Sequence, residues 1–418
     1  MNYEEVISKI EELPRWHERN ELIYIKRVLK ELGNPQDKIK TIHVTGTNGK
    51  GSTSYYLRNL LEKAGQKTGL FVSPYIEKFN ERIQVGGEPI GNADLVEGYL
   101  AIQQIIKKIQ NEEPDFHLVT FEFEVAMAFW IFYKQQVDYA VIEVGIGGEH
   151  DKTNVIVPEL SIITTIGLDH EQIIGPTIQD IAKEKSGIIK QKKPVIVGKI
   201  PYQVKAIIKE KAQKFSAPIY HLGEDFEIKV NENVLYQTGQ EHYQFNWRPE
   251  VEAFDIGMAV KAVELLGLQL DKNDVEKAIN QTQIPGRYQI VQEKPLIVVD
   301  GAHNVQAMKN LLKFIHNQKG QKIHFLVGMM KDKDLTQVFE LFDDKDEINL
   351  TRISYPRAAK LEDFPIDIQK RATYTEDYKE AFDKVVNRLK KDDILVVTGS
   401  FYLVGAILNY IHQGRNQK

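Results

Sequence analysis

The stretch "TIHVTGTNGKGSTSYYLRNLLEKAG", residues 41–65, sets the tightest limit on what this chain can fold into. It opens with a short, mostly apolar and β-branched run. It closes with apolar residues at helical spacing and a glycine suited to a helix C-cap. A Gly-rich turn joins the two. Strand, tight turn and helix in that order open a βα unit of a parallel sheet.

The same alternation continues along the chain. "TGLFVS", "YAVIEVG", "LSIITTIG" and "PVIVG" have strand length and are apolar on both faces, as strands buried in a parallel sheet are. "TFEFEVAMAFWIFYKQQ" is apolar enough for a central helix. The pattern changes between Tyr202 and Pro249, where "DFEIKVNENVLYQTGQEHYQFNW" predicts antiparallel hairpins. A helix, "EAFDIGMAVKAVELLG", follows, and "QTQIPGRYQ" has the polar Pro-Gly character of a linker. A second strand-helix series starts at "PLIVVDGAHN" and runs through "KIHFLVGMM", "EINLTRISYP" and "DDILVVTGS". With 418 residues, two cores are the default. The expected fold class is α/β in two domains. Residues 1–284 would form a P-loop-type, mostly parallel sheet flanked by helices. Residues 285–418 would form a smaller Rossmann-like α/β domain.

Composition narrows the function. The chain is 42% hydrophobic and 27% charged, as soluble globular proteins are. No apolar run is long enough to cross a bilayer. The start, "MNYEEVISKIEELP", sets Val6, Ile10 and Leu13 among acids and lacks the basic start and apolar block of a signal peptide. The chain has no cysteine, which excludes disulfides and thiolate metal sites and points to a reducing cytoplasm. A net charge of −5 without a strongly basic block argues against nucleic acid as the partner. An anionic small substrate needs only local positive charge.

The turn "GTNGKGST" departs from the usual phosphate-loop spelling, since Val44 stands where the first glycine belongs and Gly51 separates Lys50 from Ser52. Its chemistry is nonetheless that of a phosphate cradle. A helix N-terminus exposes backbone N–H groups at the positive end of a dipole. Gly46, Gly49 and Gly51 let the backbone curl around a polyphosphate. Lys50 adds a charge for the outer phosphates, and Ser52 or Thr53 would hold magnesium or cap the helix. "EVGIGGEH" begins like a dinucleotide fingerprint, but His150 occupies the place of the third glycine.

Ligands in open α/β sheets gather at the carboxyl ends of strands. There "LFVSP" delivers Ser73, "YAVIEVG" delivers Glu143, and "ITTIGLDH" delivers Asp169 and His170. A hydroxyl, a carboxylate and an imidazole near a triphosphate can complete a magnesium shell with phosphate oxygens. Each also has a structural reading: Ser73 before Pro74 can simply end a strand, and a lone histidine is usually a satisfied one. The lysines of "IAKEKSGIIK", Lys183, Lys185 and Lys190, fit a solvated basic helix face.

Taken together, "HVTGTNGKGS", "FVSPYIEKFNERI", "VIEVGIGG", "GLDHEQIIGPTIQDIAKEKSGIIK", "PGRYQ", "VVDGAHN" and "VTGSFYL" resemble the folylpolyglutamate synthase group of Mur-ligase relatives, in order and over nearly the whole chain. The resemblance implies an ATP-dependent ligase that adds L-glutamate to the γ-carboxyl of a reduced folate's glutamyl tail through an acyl phosphate. It implies that Thr47, Asn48, Gly49, Lys50, Gly51 and Ser52 bind ATP phosphates. Ser73, Glu143 and His170 would hold Mg2+, and Lys185 would carry a carbamate. Arg287 and Asp300 would contact the nucleotide, and His303 and Ser400 the incoming glutamate. Phe79 and Arg82 would meet the folate ring and tail. Lys50, Lys185, His170 and His303 become the catalytic candidates, in a monomer with no nucleic-acid or membrane partner.

Dihydrofolate synthase uses the same chemistry on dihydropteroate, and some relatives do both. Peptidoglycan Mur ligases fit less well, because Lys50 lies too near the start to leave room for their first domain. One departure motivates a third reading, a nucleotide-binding protein without turnover. The family has a Gly-x-His-Gln-x-x-Asn motif before the linker. Our alignment of "VEAFDIGMAVKA" sets Gly257 at its Asn, with Glu252 and Asp255 nearby. Glu149 stands where many relatives have Arg and is given no role.

Overall fold

A computed structural model describes residues 1–17, 21–239, 241–320 and 322–415. Its contacts divide the chain into two compact units. The first holds Met1–Ser73 and Phe79–Thr282, and the second holds Pro74–Lys78 and Gln283–Lys418. The break after Thr282 falls in the Pro-Gly linker, two residues before the expected one. No local sequence pattern marks Pro74–Lys78 as packing with the second unit.

The first unit is built on an eight-stranded sheet in the order β4-β3-β2-β5-β1-β6-β7-β8. Its strands are β1 (Lys40–Thr45), β2 (Thr68–Phe71), β3 (Ile83–Val85), β4 (Glu88–Pro89), β5 (Tyr139–Glu143), β6 (Leu160–Ile163), β7 (Val195–Val197) and β8 (Ile219–His221). From β2 to β8 every pairing is parallel, and β3 and β4 add an antiparallel edge. The five apolar runs singled out in the sequence are β1, β2, β5, β6 and β7. The residues of β2, β5, β6 and β7 are all buried, as expected of strands covered on both faces. β1 is central, between β5 and β6, so the loop that leaves it opens where two neighbouring strands end.

Three helices of this unit matter to the site. The loop helix, Lys50–Lys63, follows β1; the central helix, Thr120–Lys134, precedes β5; and the acidic helix, Glu250–Leu265, packs along the loop helix. The expected hairpins form a three-stranded antiparallel sheet of β9 (Glu227–Val230), β10 (Val234–Thr238) and β11 (Glu241–Phe245), and β9 lies on the acidic helix.

The second unit is a six-stranded sheet in the order β12-β13-β17-β14-β15-β16. Its strands are β12 (Gln289–Glu293), β13 (Leu296–Val299), β14 (Ile323–Val327), β15 (Glu347–Arg352), β16 (Thr373–Asp377) and β17 (Ile394–Thr398). All pairings are parallel except that of β12 with β13. Two apolar cores cover its faces, and the terminal helix, Phe401–Arg415, supplies Leu403, Val404, Ile407 and Leu408 to one of them.

Candidate active site

The loop helix starts at Lys50, with Gly49 as its N-cap at φ 85°. No side chain caps it, so the expected hydroxyl cap from Ser52 or Thr53 is not formed. The helix begins three residues earlier than a Ser52 cap would allow, which places Ser52 and Thr53 in the first turn, both buried. Gly49 is required twice over. Its backbone is left-handed, and a Cβ there would stand 2.3 Å from Asp255 Oδ1. The loop is fixed from below by β6 and its extension. Asn48 N–H donates to Thr165 Oγ1 at 2.9 Å, and the Thr164 and Thr165 hydroxyls donate to Asn48 O. Thr47 Oγ1 donates to Gly167 O at 3.0 Å. Lys50 Nζ lies over the loop, 3.0 Å from Gly46 O.

A pocket opens on this loop, lined by Gly46, Thr47, Lys50, Gly145, Gly147, Asp169, His170 and Lys185. It therefore joins loop residues, the turn after β5, the segment after β6 and the helix Ile178–Ser186. Lys185 is buried, not part of a solvated face. Burial, and then the nearby Lys50, push its ammonium down to about 7, against weaker pulls upward from Asp169, Glu184 and Asp151. The amine is thus substantially neutral near pH 7, which makes it a nucleophile able to add carbon dioxide. His170 sits at φ 55° at the start of a short helix, its Nε2 3.9 Å from Asp169 Oδ1.

Glu143 ends β5, is buried, and faces the loop helix: its Oε2 stands 3.6 Å from where a Cβ on Gly51 would be. The same oxygen accepts the backbone N–H of Ser73 at 3.1 Å. Among the described residues no three His, Asp or Glu side chains gather around one point. Magnesium at a nucleotide needs no such cage, because one or two protein groups suffice beside waters and phosphate oxygens. Glu143 beside the phosphate loop fits that need, with Ser73 next to it and His170 in the pocket.

Phe79 and Arg82 lie in the turn Phe79–Arg82. Phe79 is buried, with the Arg82 guanidinium 5.6 Å from its ring centre, so the ring anchors the turn. Arg82 Nε is 3.3 Å from Glu124 Oε1 on the central helix.

In the second unit, the candidate residues cluster at the carboxyl ends of β13 and β17. Asp300 is buried; burial holds its carboxyl above the usual range, opposed by Arg287 and by the N–H groups of Tyr288 and Ala302. Arg287 lies over the Phe401 ring, 4.4 Å from its centre. His303 Nδ1 is 2.8 Å from Gly301 O. Ser400 is buried and its hydroxyl is engaged: it donates to Gly328 O at 2.8 Å and accepts the Leu403 N–H at 3.2 Å.

Two features were missed. Asp169, to which the sequence pattern assigns no role, lines the pocket. The second concerns the acidic helix. A Cβ on Gly257 would meet Ile228 and Phe226, at the hairpin sheet, so position 257 faces away from the phosphate loop. Asp255 is the residue that faces it, touching Gly49 and accepting from Thr53 Oγ1 at 3.2 Å. The helix thus turns Asp255, not Gly257, toward the phosphate loop.

Comparison with known proteins identifies the family. A profile of the Mur ligase middle domain matches residues 44–263, and one of the Mur ligase glutamate ligase domain matches residues 286–401. The folylpolyglutamate synthase of Lacticaseibacillus casei is 31% identical over 433 aligned residues, spanning 100% of both chains. The dihydrofolate synthase/folylpolyglutamate synthase of Bacillus subtilis is 30% identical over 92% of this chain and 93% of its own length. A solved folylpolyglutamate synthase complex with AMPPCP and folate superposes with a TM-score of 0.87 at 30% identity, over 98% of this chain and 100% of that one. With a phosphate loop, a buried lysine beside it and likeness along its whole length, the chain belongs to the Mur ligase family, in its folylpolyglutamate synthase/dihydrofolate synthase group.

Proposed function

We propose that this chain is an ATP-dependent ligase joining L-glutamate to the γ-carboxyl of a reduced folyl-glutamate, as a cytoplasmic monomer that uses magnesium. The observation that carries the reading is the pocket in which the phosphate loop, Lys50 and the buried Lys185 meet. A carboxylate is a poor electrophile. Transfer of the terminal phosphoryl group to a γ-carboxylate oxygen gives an acyl phosphate and ADP. The amine of glutamate attacks the acyl carbon, loses a proton, and phosphate departs from the tetrahedral intermediate.

The chain's part is to position and to hold charge. The N–H groups of residues 49–52 and the Lys50 ammonium stabilise the negative charge on the phosphates during transfer. Ser73, Glu143 and His170 would hold magnesium, which neutralises phosphate charge when bound. A neutral Lys185 amine adds carbon dioxide with loss of a proton, which puts a carboxylate beside Lys50 in place of a second cation. Arg82 takes the folate's glutamyl tail, and Phe79 supports that turn from within. Arg287 and Asp300 meet the nucleotide. His303 takes the incoming amino acid, and Ser400 shapes the strand end behind it.

The test is phosphate release from ATP with reduced folate and glutamate together, then with each omitted. Release that needs both supports the ligase; release that needs neither overturns it and leaves a nucleotide-binding protein. One close relative carries both activities in its name. Dihydropteroate in place of folate, in the same assay, decides whether this chain shares the second.

A further inference from the structure

The segment Pro74–Lys78 is anomalous. Ser73 before it and Phe79 after it belong to the first unit, but the segment itself packs with the second. It is held there by one stripe of the terminal helix. A Cβ on Gly405 would stand 1.8 Å from Ile76 O and 2.8 Å from its carbonyl carbon, so the two backbones are in direct contact. One turn on, Asn409 Nδ2 donates to Glu77 O at 3.3 Å. A further turn on, His412 Nδ1 lies 2.8 Å from Glu77 Oε2. Positions 405, 409 and 412 share a helix face by their spacing. The Ile76 side chain packs on the apolar cluster that contains Val404 and Leu408, and its Cδ1 reaches within 3.3 Å of where a Cβ on Gly286 would be.

The two ends of this strap carry the residues that the proposed function uses. At one end the Ser73 N–H donates to Glu143, and at the other Phe79 and Arg82 form the turn tied to Glu124. Five residues link these ends, too few to absorb a displacement of the strap without moving at least one of them. We propose that Gly405 is a positioning residue for the reaction: by seating Ile76 it holds the strap, and the strap holds Ser73 and the Phe79–Arg82 turn in register with the folate. The proposal rests on the reading of Arg82 as a folate contact. Glycine is needed because any side chain would displace the Ile76 carbonyl, which is backbone and cannot rotate away.

The experiment compares Gly405→Ala, Glu77→Ala and a control, Gly414→Ala, which lies on the same helix with nothing near its would-be Cβ. Far-ultraviolet circular dichroism checks folding. Hydrogen exchange of the peptide covering residues 73–82 reads the strap directly. Steady-state kinetics read KM for folate, KM for ATP and kcat. Gly405→Ala is expected to speed exchange in the peptide and to raise KM for folate, or lower kcat, by about tenfold or more, as displaced positioning groups do. KM for ATP should rise less than KM for folate, since Ser73 is the strap's link to the ATP site while the whole Phe79–Arg82 turn serves the folate. Glu77→Ala, which keeps the backbone seat, should show a smaller change of the same kind, and Gly414→Ala none. Unchanged exchange and kinetics in Gly405→Ala overturn the proposal. So does an equal loss for ATP and folate, which would mark a general structural defect. If Gly405→Ala does not fold, Glu77→Ala decides: faster exchange with a higher folate KM supports the strap, and no change in either sinks it. A wild-type protein that does not use folate would instead overturn the functional reading, and the exchange data would still report whether Gly405 seats the strap.

Discussion

The two mostly parallel sheets of this chain treat charge at their strand ends in opposite ways. In the first unit two cations crowd one pocket: Lys50 lies above the loop, and Lys185 is buried close enough for Lys50 to lower its pKa. In the second unit a buried carboxylate is matched in place. Asp300 accepts two backbone N–H groups and faces Arg287. The first arrangement costs folding energy and gains from an anion brought between the lysines. The second is partly balanced within the chain, so that Asp300 is already held in place before it and Arg287 meet the nucleotide. The difference teaches where binding energy can do chemistry: at the site whose charges the fold leaves in tension.

The sharpest break of that contrast is Lys50→Ala. Loss of the loop cation should reduce kcat by about a hundredfold to a thousandfold, as loss of a preorganised charge stabiliser does. It should also let the pKa of Lys185 rise, because a neighbouring cation is gone. Near-normal phosphate release would remove Lys50 from the reaction.

Lys185→Ala should follow, with a loss of about a hundredfold and partial recovery in acetate or formate, whose carboxylate replaces the proposed carbamate. Full activity would return Lys185 to a structural role. The same lysine sets a pH dependence of stability in buffer free of carbon dioxide. Its pKa is about 7 in the fold against an ordinary 10.5. Below about 7 the amine is charged in both states, and the whole cost of burying that charge weighs on the fold. Between 7 and 10.5 the native amine is neutral while the unfolded chain still binds the proton, so stability rises with pH. Denaturant titrations of Lys185→Met should lose that rise and gain stability most below pH 7. A slope unchanged by the substitution would place its origin elsewhere.

In the second unit, Asp300→Asn removes the carboxylate and turns an amide donor toward one of two N–H donors. Thermal unfolding should report a loss of about 1–3 kcal/mol, the cost of an unmatched buried donor. If stability is unchanged, the match around Asp300 is not what makes that strand end rigid.

The sequence showed most of the scaffold and only part of the site. The buried strands of both sheets, the phosphate loop and the hairpins were readable because period, turn residues and strand length agree there. The sequence does not mark β3, β4 and β8, which are two or three residues long, or β12 and β16, the half-exposed edge strands of the second sheet. The packing of Pro74–Lys78 with the second unit depends on a backbone contact with a glycine far along the chain, which no local pattern encodes. The acidic helix was readable as a helix but not in its rotation. It is buried on several sides, with Glu252, Ala253, Asp255, Ile256, Gly257, Met258 and Ala259 all buried, so no polar face fixes which residues point at the loop.

That rotation gives the smallest and most discriminating prediction. Gly257 faces Ile228 on the hairpin sheet, where a Cβ would meet its Cδ1 at 3.3 Å, the flexible end of a side chain. Gly257→Ala removes a glycine from a helix interior, a gain of up to about 1 kcal/mol, against the small cost of moving Ile228. Its net effect on stability should therefore be within about 1 kcal/mol of zero, and its KM for ATP that of the parent. Asp255→Ala, two residues earlier, removes the group against Gly49 and Thr53 and should raise KM for ATP by about tenfold through loss of loop order. The reverse result, with ATP sensitive at 257 and indifferent at 255, would mean that the helix presents its other face to the nucleotide and that the carboxylate beside Gly49 has no part in holding the loop.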